Sequence, residues 1–81
     1  MNVNLLLFGE AKLAIGAPRV AMILPTDACV GQLRTAIANQ FPTLRELLTR
    51  SAVAVNQQFA DDTMVISERD EIAWVPPVSG G

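Results

Sequence analysis

Histidine and tyrosine are absent from this 81-residue chain, and cysteine and tryptophan occur once each. Without histidine there is neither the commonest metal ligand nor the commonest general base at neutral pH. A lone Cys29 excludes an internal disulfide, so no covalent staple holds the fold, and a reducing compartment is expected. Cations are few. Six Lys and Arg stand against eight Asp and Glu, a net charge of −2 with a pI near 4.8. No basic stripe is available to neutralise phosphates, so no nucleic acid is expected as a partner. Long hydrophobic runs are lacking too. The N-terminal apolar run, Leu5 to Phe8, has no basic segment before it and is too short for a signal or a membrane span. The expectation is a soluble cytoplasmic protein with no membrane contact.

What remains is an apolar chain that must fold. Its residues are 51% hydrophobic and 17% charged, with a mean hydropathy of +0.34, too apolar for intrinsic disorder. The length allows one domain. Such a domain buries only about 60% of the surface its unfolded chain exposes, which disfavours a deep enclosed active site.

Local patterns give an order of elements. The run Leu5-Leu6-Leu7-Phe8, closed by Gly9, reads as part of a strand from Val3 to Phe8 that is covered on both faces and central in its sheet. Glu10 to Ile15 suits a short helical turn with Gly16 as its left-handed terminator. Arg19 to Leu24, between Pro18 and Pro25, reads as a second strand. Val30, Leu33, Ile37 and Phe41 then recur at helical spacing, with Thr26, Asp27 or Cys29 as cap candidates and Pro42 as the stop. A short helical stretch through Leu44, Leu47 and Leu48 follows. Val53 to Asn56 returns to strand character and ends in the turn Asn56-Gln57-Gln58. Asp61-Asp62 marks another turn, Met64 to Ile66 a brief edge strand, Ser67 to Asp70 a further turn, and Glu71 to Val75 the last strand. The fold class is α+β: one mixed sheet of about five strands on one main helix.

The last six residues, Pro76-Pro77-Val78-Ser79-Gly80-Gly81, carry the chemistry. The proline pair fixes φ near −65° and cannot donate to a ladder, so the strand ends there and leaves as a stiff extended piece. Gly80 and Gly81 lack Cβ and fit a channel that excludes any larger residue. Fully extended, the six span roughly 20 Å. The division is therefore a domain over 1–75 and a tail over 76–81 that inserts into something else.

The stretch Asp70-Glu71-Ile72-Ala73-Trp74-Val75-Pro76-Pro77-Val78-Ser79-Gly80-Gly81 resembles the end of the molybdopterin synthase small subunits, a family of ubiquitin-like β-grasp sulfur carriers. The likeness continues through Leu7-Phe8-Gly9, Lys12-Leu13, Gly16, the helix from Val30, and Val53-Ala54-Val55-Asn56. It departs at Arg69, where the family has glycine before Asp-Glu, and at Cys29, where it has a threonine cap. If that turn needs φ > 0, Arg69 carries strain of about 1 kcal/mol or more.

The resemblance implies a use for Gly81. An adenylyltransferase/sulfurtransferase similar to ubiquitin-activating enzymes would spend ATP to place AMP transiently on the Gly81 carboxylate, and a persulfide would replace AMP to leave a thiocarboxylate. The tail would then carry the sulfur into the large synthase subunit, in a heterotetramer of two small and two large subunits, for attack on cyclic pyranopterin monophosphate in molybdenum cofactor biosynthesis. On this reading the chain is not an enzyme by itself and holds no permanent cofactor or metal. A ubiquitin-like modifier joined to lysine through Gly81, or a carrier serving thiamine, cysteine or tRNA thiolation, are the alternatives.

Strand alternation adds a docking surface. With Leu5 and Leu7 toward the helix, Leu6 and Phe8 face the other side, and Ile72 and Trp74 point inward while Ala73 and Val75 point outward. Leu6, Phe8 and Val75 then lie where no second helix covers them, a feature of partner sites. The expected partner-binding residues are Phe8, Lys12, Val75, Pro76, Pro77, Val78, Ser79 and Gly80. Lys12 enters through its resemblance to a position that contacts the activating enzyme. Cys29, with no basic neighbour, reads as a capping or packing residue rather than a reactive thiol. Asp61-Asp62 lacks the further oxygens of a calcium site. Trp74 reads as core, its indole N–H in need of a polar partner.

Overall fold

The computed structural model describes residues 1–77. Its elements are β1 (Asn2–Leu7), α1 (Gly9–Ile15), β2 (Arg19–Ile23), α2 (Val30–Gln40), a 3-10 turn (Pro42–Leu44), α3 (Arg45–Thr49), β3 (Ala52–Val55), β4 (Gln58–Ala60) and β5 (Ile72–Val75). The five strands form one sheet in the order β2-β1-β5-β3-β4. β1 runs parallel to β5, and every other pairing is antiparallel. This is the β-grasp arrangement, α+β, with α2 laid across one face.

The apolar period of α2 makes that packing. Val30, Leu33 and Ile37 are fully buried against Leu5, Leu7, Val53, Ile72 and Trp74 of the sheet. Gln32 Oε1 accepts from the Cys29 N–H at 2.9 Å, which caps the helix start. Pro42 stands two residues past its end and opens the 3-10 turn. Arg34 fastens α2 to the end of α3: its guanidinium donates to the carbonyls of Leu48 at 3.0 Å and Ser51 at 2.9 Å, and Nε lies 3.1 Å from Asp62 Oδ1. Gly16 ends α1 at φ 81°, as its position predicts.

Four expectations change. First, the strand between β3 and β5 is Gln58–Ala60, not Met64 to Ile66. Asn56 and Gln57 both hold positive φ, 53° and 68°. This is the two-residue hairpin turn whose twist matches paired strands, so Gln58 starts the return strand instead of ending the turn. Met64 to Ile66 makes a single bridge, Val65 with Cys29, and Ile66 N–H donates to Ala28 O, which pins the loop to the start of α2. Second, β1 is covered on one face only, and the middle strand is β5: Val3, Leu5 and Leu7 are buried while Asn4 is exposed and Leu6 half-buried. Third, Phe8 leaves the strand and is the N-cap residue of α1. Fourth, the non-glycine residues with positive φ among the described residues are Asp27, Asn56 and Gln57, so the turn does not need φ > 0 at Arg69 and no strain arises there.

Candidate functional site

Cross-strand partners share a face, so the register builds the open side of the sheet directly. Leu6 pairs with Arg19 and with Ala73, Ala73 with Ala54, and Ala54 with Phe59. One row, Arg19–Leu6–Ala73–Ala54–Phe59, therefore crosses all five strands on the face away from α2. The next row contains Val75 opposite Ala52, both half-buried. The small alanines make the centre of this face flat. Phe59, 78% exposed, stands at one rim.

Phe8 and the tail base lie at the end of this face. Phe8 is 50% exposed and takes extended backbone angles before α1 begins. Its carbonyl accepts from the Lys12 N–H at 3.3 Å, which sets exposed Lys12 one turn along from it. Gly9, at φ 52°, brings the start of α1 beside the chain leaving β5: a Cβ on Gly9 would stand 3.7 Å from Pro76 Cγ. Pro76 is half-buried there and Pro77 exposed. The structure thus brings Phe8, Lys12, Val75, Pro76 and Pro77 to one end of the molecule. Val78, Ser79, Gly80 and Gly81 lie outside the described residues.

The strand before Pro76, β5, is paired on both sides and buried over Ile72–Trp74. Trp74 is fully buried, in register with Leu7 on one side and Val53 on the other. Contrary to expectation, its indole N–H finds no partner among the described residues. The turn before β5 is locked by Asp70. Its carboxylate accepts from the Ser67 N–H at 2.8 Å and from Asn56 Nδ2 at 3.0 Å, while Asn56 Oδ1 accepts from the Glu71 N–H at 2.9 Å. The Ser67 backbone bond, followed by the Asn56 side chain, holds the Asp70 carboxyl below the usual aspartate range. Asp61 is lowered likewise, chiefly by the Thr63 hydroxyl. It forms a turn with Thr63, and no cluster of potential metal ligands exists among the described residues. Nor, among them, is any helix long and apolar enough to cross a membrane.

Phe59 is the site residue that sequence reasoning missed. Its signal was present: Asn56, a residue tolerant of left-handed geometry, starts a two-residue turn after Ala52–Val55, which places Phe59 opposite Ala54.

Comparison with known proteins finds relatives of the same fold. Residues 5–81 match the model of the ThiS family. A molybdopterin synthase sulfur carrier subunit from Mycobacterium tuberculosis is 34% identical over 82 residues, covering 100% of this chain and 99% of the relative. Among solved structures, SAMP1 from Haloferax volcanii superposes with a TM-score of 0.86 at 26% identity over 100% of both chains. A chain in the complex of subunits 1 and 2 of the molybdopterin-converting factor from Helicobacter pylori does so with a TM-score of 0.68 at 27% identity, again over 100% of both.

Proposed function

The chain belongs to the ThiS family, and we propose that within it the protein is the sulfur carrier subunit of molybdopterin synthase. One observation supports this most: an apolar sheet face with no helix of the described residues on it ends at Phe8 and Val75, next to Pro76 and Pro77. A binding face beside the segment that precedes the Gly-Gly end is what a donor subunit needs. The relatives' name and the two-subunit complex from Helicobacter pylori favour a large subunit as the occupant of that face.

The chemistry proposed for Gly81 follows from the carboxylate itself, whose negative charge makes it a poor electrophile. Its oxygen attacks the α-phosphorus of ATP on an activating enzyme, and pyrophosphate leaves. The terminal sulfur of a persulfide then attacks the acyl carbon of this mixed anhydride, and AMP leaves. Thiol cleavage of the resulting S–S bond frees a thiocarboxylate on Gly81. The large subunit receives this soft nucleophile and supplies the acid and base groups for its attack on cyclic pyranopterin monophosphate. The carrier is the nucleophile's vehicle and not a catalyst, it keeps no cofactor, and two carriers serve two large subunits in the cytoplasm.

Reconstitution tests the reading. Thiocarboxylated chain mixed with the large subunit and pyranopterin should yield molybdopterin, and chain lacking Gly81 should yield none. Failure of the charged chain, with thiamine, cysteine or tRNA thiolation supported instead, moves it to another carrier pathway. The likeness to SAMP1 gives a ubiquitin-like modifier a definite outcome as well: conjugates on lysines of other proteins.

A further inference from the structure

The edge strand β2 borders a groove that sulfur delivery does not use. Leu7 N–H donates to Pro18 O at 2.9 Å and Leu24 N–H to Met1 O at 2.9 Å, and the β1–β2 register lies between these bonds. Hydrogen-bonded pairs recur at every second residue of an antiparallel ladder. Val20 and Met22 therefore bond inward, while the N–H and C=O groups of Arg19, Ala21 and Ile23 point away from the sheet. β2 is an outer strand, so no strand among the described residues receives them. Pro18 and Pro25 bracket this free edge, and Pro25, lacking an N–H, ends it.

Two adjoining cavities of about 450 and 560 Å³ run between this edge and α2, with Ile23, Ala36 and Asn39 common to both. No charged side chain lines either one. The start of the edge carries exposed Arg19, which has no ion-pair partner among the described residues. An open ladder supplies affinity through main-chain bonds, and pockets beside it select alternate side chains. Arg19 lies on the face away from α2, so an added strand, whose side chains alternate, is selected for apolar residues on the groove side and a carboxylate on the other.

We propose that the β2 edge and the groove beside α2 bind an extended acidic–apolar peptide of a partner protein as a sixth strand. Its alternate apolar side chains fill the groove, and a carboxylate faces Arg19. A second copy of this chain fits worse. Antiparallel self-pairing centred on Ala21 sets Arg19 opposite Ile23 and leaves the guanidinium without an anion. The peptide does not reach the row Leu6–Ala73–Ala54, so this binding is independent of the sulfur-carrier reading.

Amide hydrogen exchange of the full chain tests it, with a synthetic peptide of alternating valine and threonine flanked at both ends by aspartate as the probe. At saturation, exchange at Ala21 and Ile23 should slow about tenfold or more, while Val20 and Met22, already bonded, change little. Arg19→Glu should weaken binding about tenfold. Ala21→Pro should abolish it. Since that proline also challenges the strand itself, a peptide N-methylated on alternate residues serves as the second arm and should not bind. Any of four results overturns the proposal: no saturable protection, equal binding by Arg19→Glu, equal binding by the N-methylated peptide, or protection of Ala21 that rises with protein concentration alone.

Discussion

Phe59 stands directly across the β3–β4 ladder from Ala54, and the two occupy the same row of the open face as Leu6 and Ala73. The alanines keep the middle of the face flat, so the aromatic ring projects from its rim, 78% exposed, toward whatever docks there. Aromatic side chains in that setting are common anchors of partner binding. Phe59→Ala should therefore weaken the complex with the large subunit by about 2 kcal/mol, near 30-fold, and change unfolding free energy by less than about 0.5 kcal/mol. Titration and thermal melts check the pair of values. Phe8→Ala should behave the same way; a larger loss of stability than of affinity would place Phe8 in the core.

Arg34 predicts the opposite pattern. Its two donations to Leu48 O and Ser51 O tie α2 to α3 far from the open face. Hydrogen bonds from a charged group contribute about 1.5–3 kcal/mol. Arg34→Met should cost about 2 kcal/mol of stability in urea unfolding and leave large-subunit affinity unchanged. An unchanged midpoint would mean that the two bonds add nothing.

Trp74 sets two effects against each other. Replacing it with alanine should cost about 3–5 kcal/mol, enough to unfold much of the population of so small a domain. Trp74→Phe leaves a cavity but also removes a buried indole N–H that has no partner, a group whose burial costs about 1–3 kcal/mol. The two offset, so Trp74→Phe should lie within about 1 kcal/mol of wild type by chemical unfolding. A loss as large as that of alanine would show that the orphan donor costs little.

Stability should fall in acid through Asp70. Its carboxyl is lowered from 3.8 in the folded state by the Ser67 and Asn56 hydrogen bonds. A depressed folded pKa stabilises fully above the unfolded value and loses that contribution as pH falls through the folded value. The unfolding midpoint should thus be flat near neutrality and drop below about pH 4. Asp70→Asn should lower it near neutrality and give a shallower acid drop. Asp61 adds to the same window. Parallel curves for wild type and Asp70→Asn would remove Asp70 from the account.

Much of this architecture was legible because local chemistry and burial agree. Val30, Leu33 and Ile37 keep helical spacing and are all fully buried, and Gly16 adopts the left-handed angle its place demands. The failures have identifiable causes. Asn56 signalled a left-handed turn, but Gln57 is not a residue that advertises positive φ, so the tight turn at 56–57 and the strand carrying Phe59 were missed. Met64 to Ile66 has strand composition, but its backbone bonds go to the loop before α2 instead of to a strand. The apolar run Leu5 to Phe8 suggested cover on two faces because a binding surface and a core use the same residue types. The tail residues Val78, Ser79, Gly80 and Gly81 were singled out by sequence alone.

The central claim is that the Gly81 carboxylate is the site that becomes charged with sulfur, and intact-mass spectrometry tests it most directly. The full chain incubated with the activating enzyme, ATP and a persulfide donor should gain the mass difference of one sulfur for one oxygen. The gain should require ATP, map to Gly81 and disappear when the large subunit and pyranopterin are added. An unchanged mass, or conjugates on other proteins in place of that shift, would contradict it.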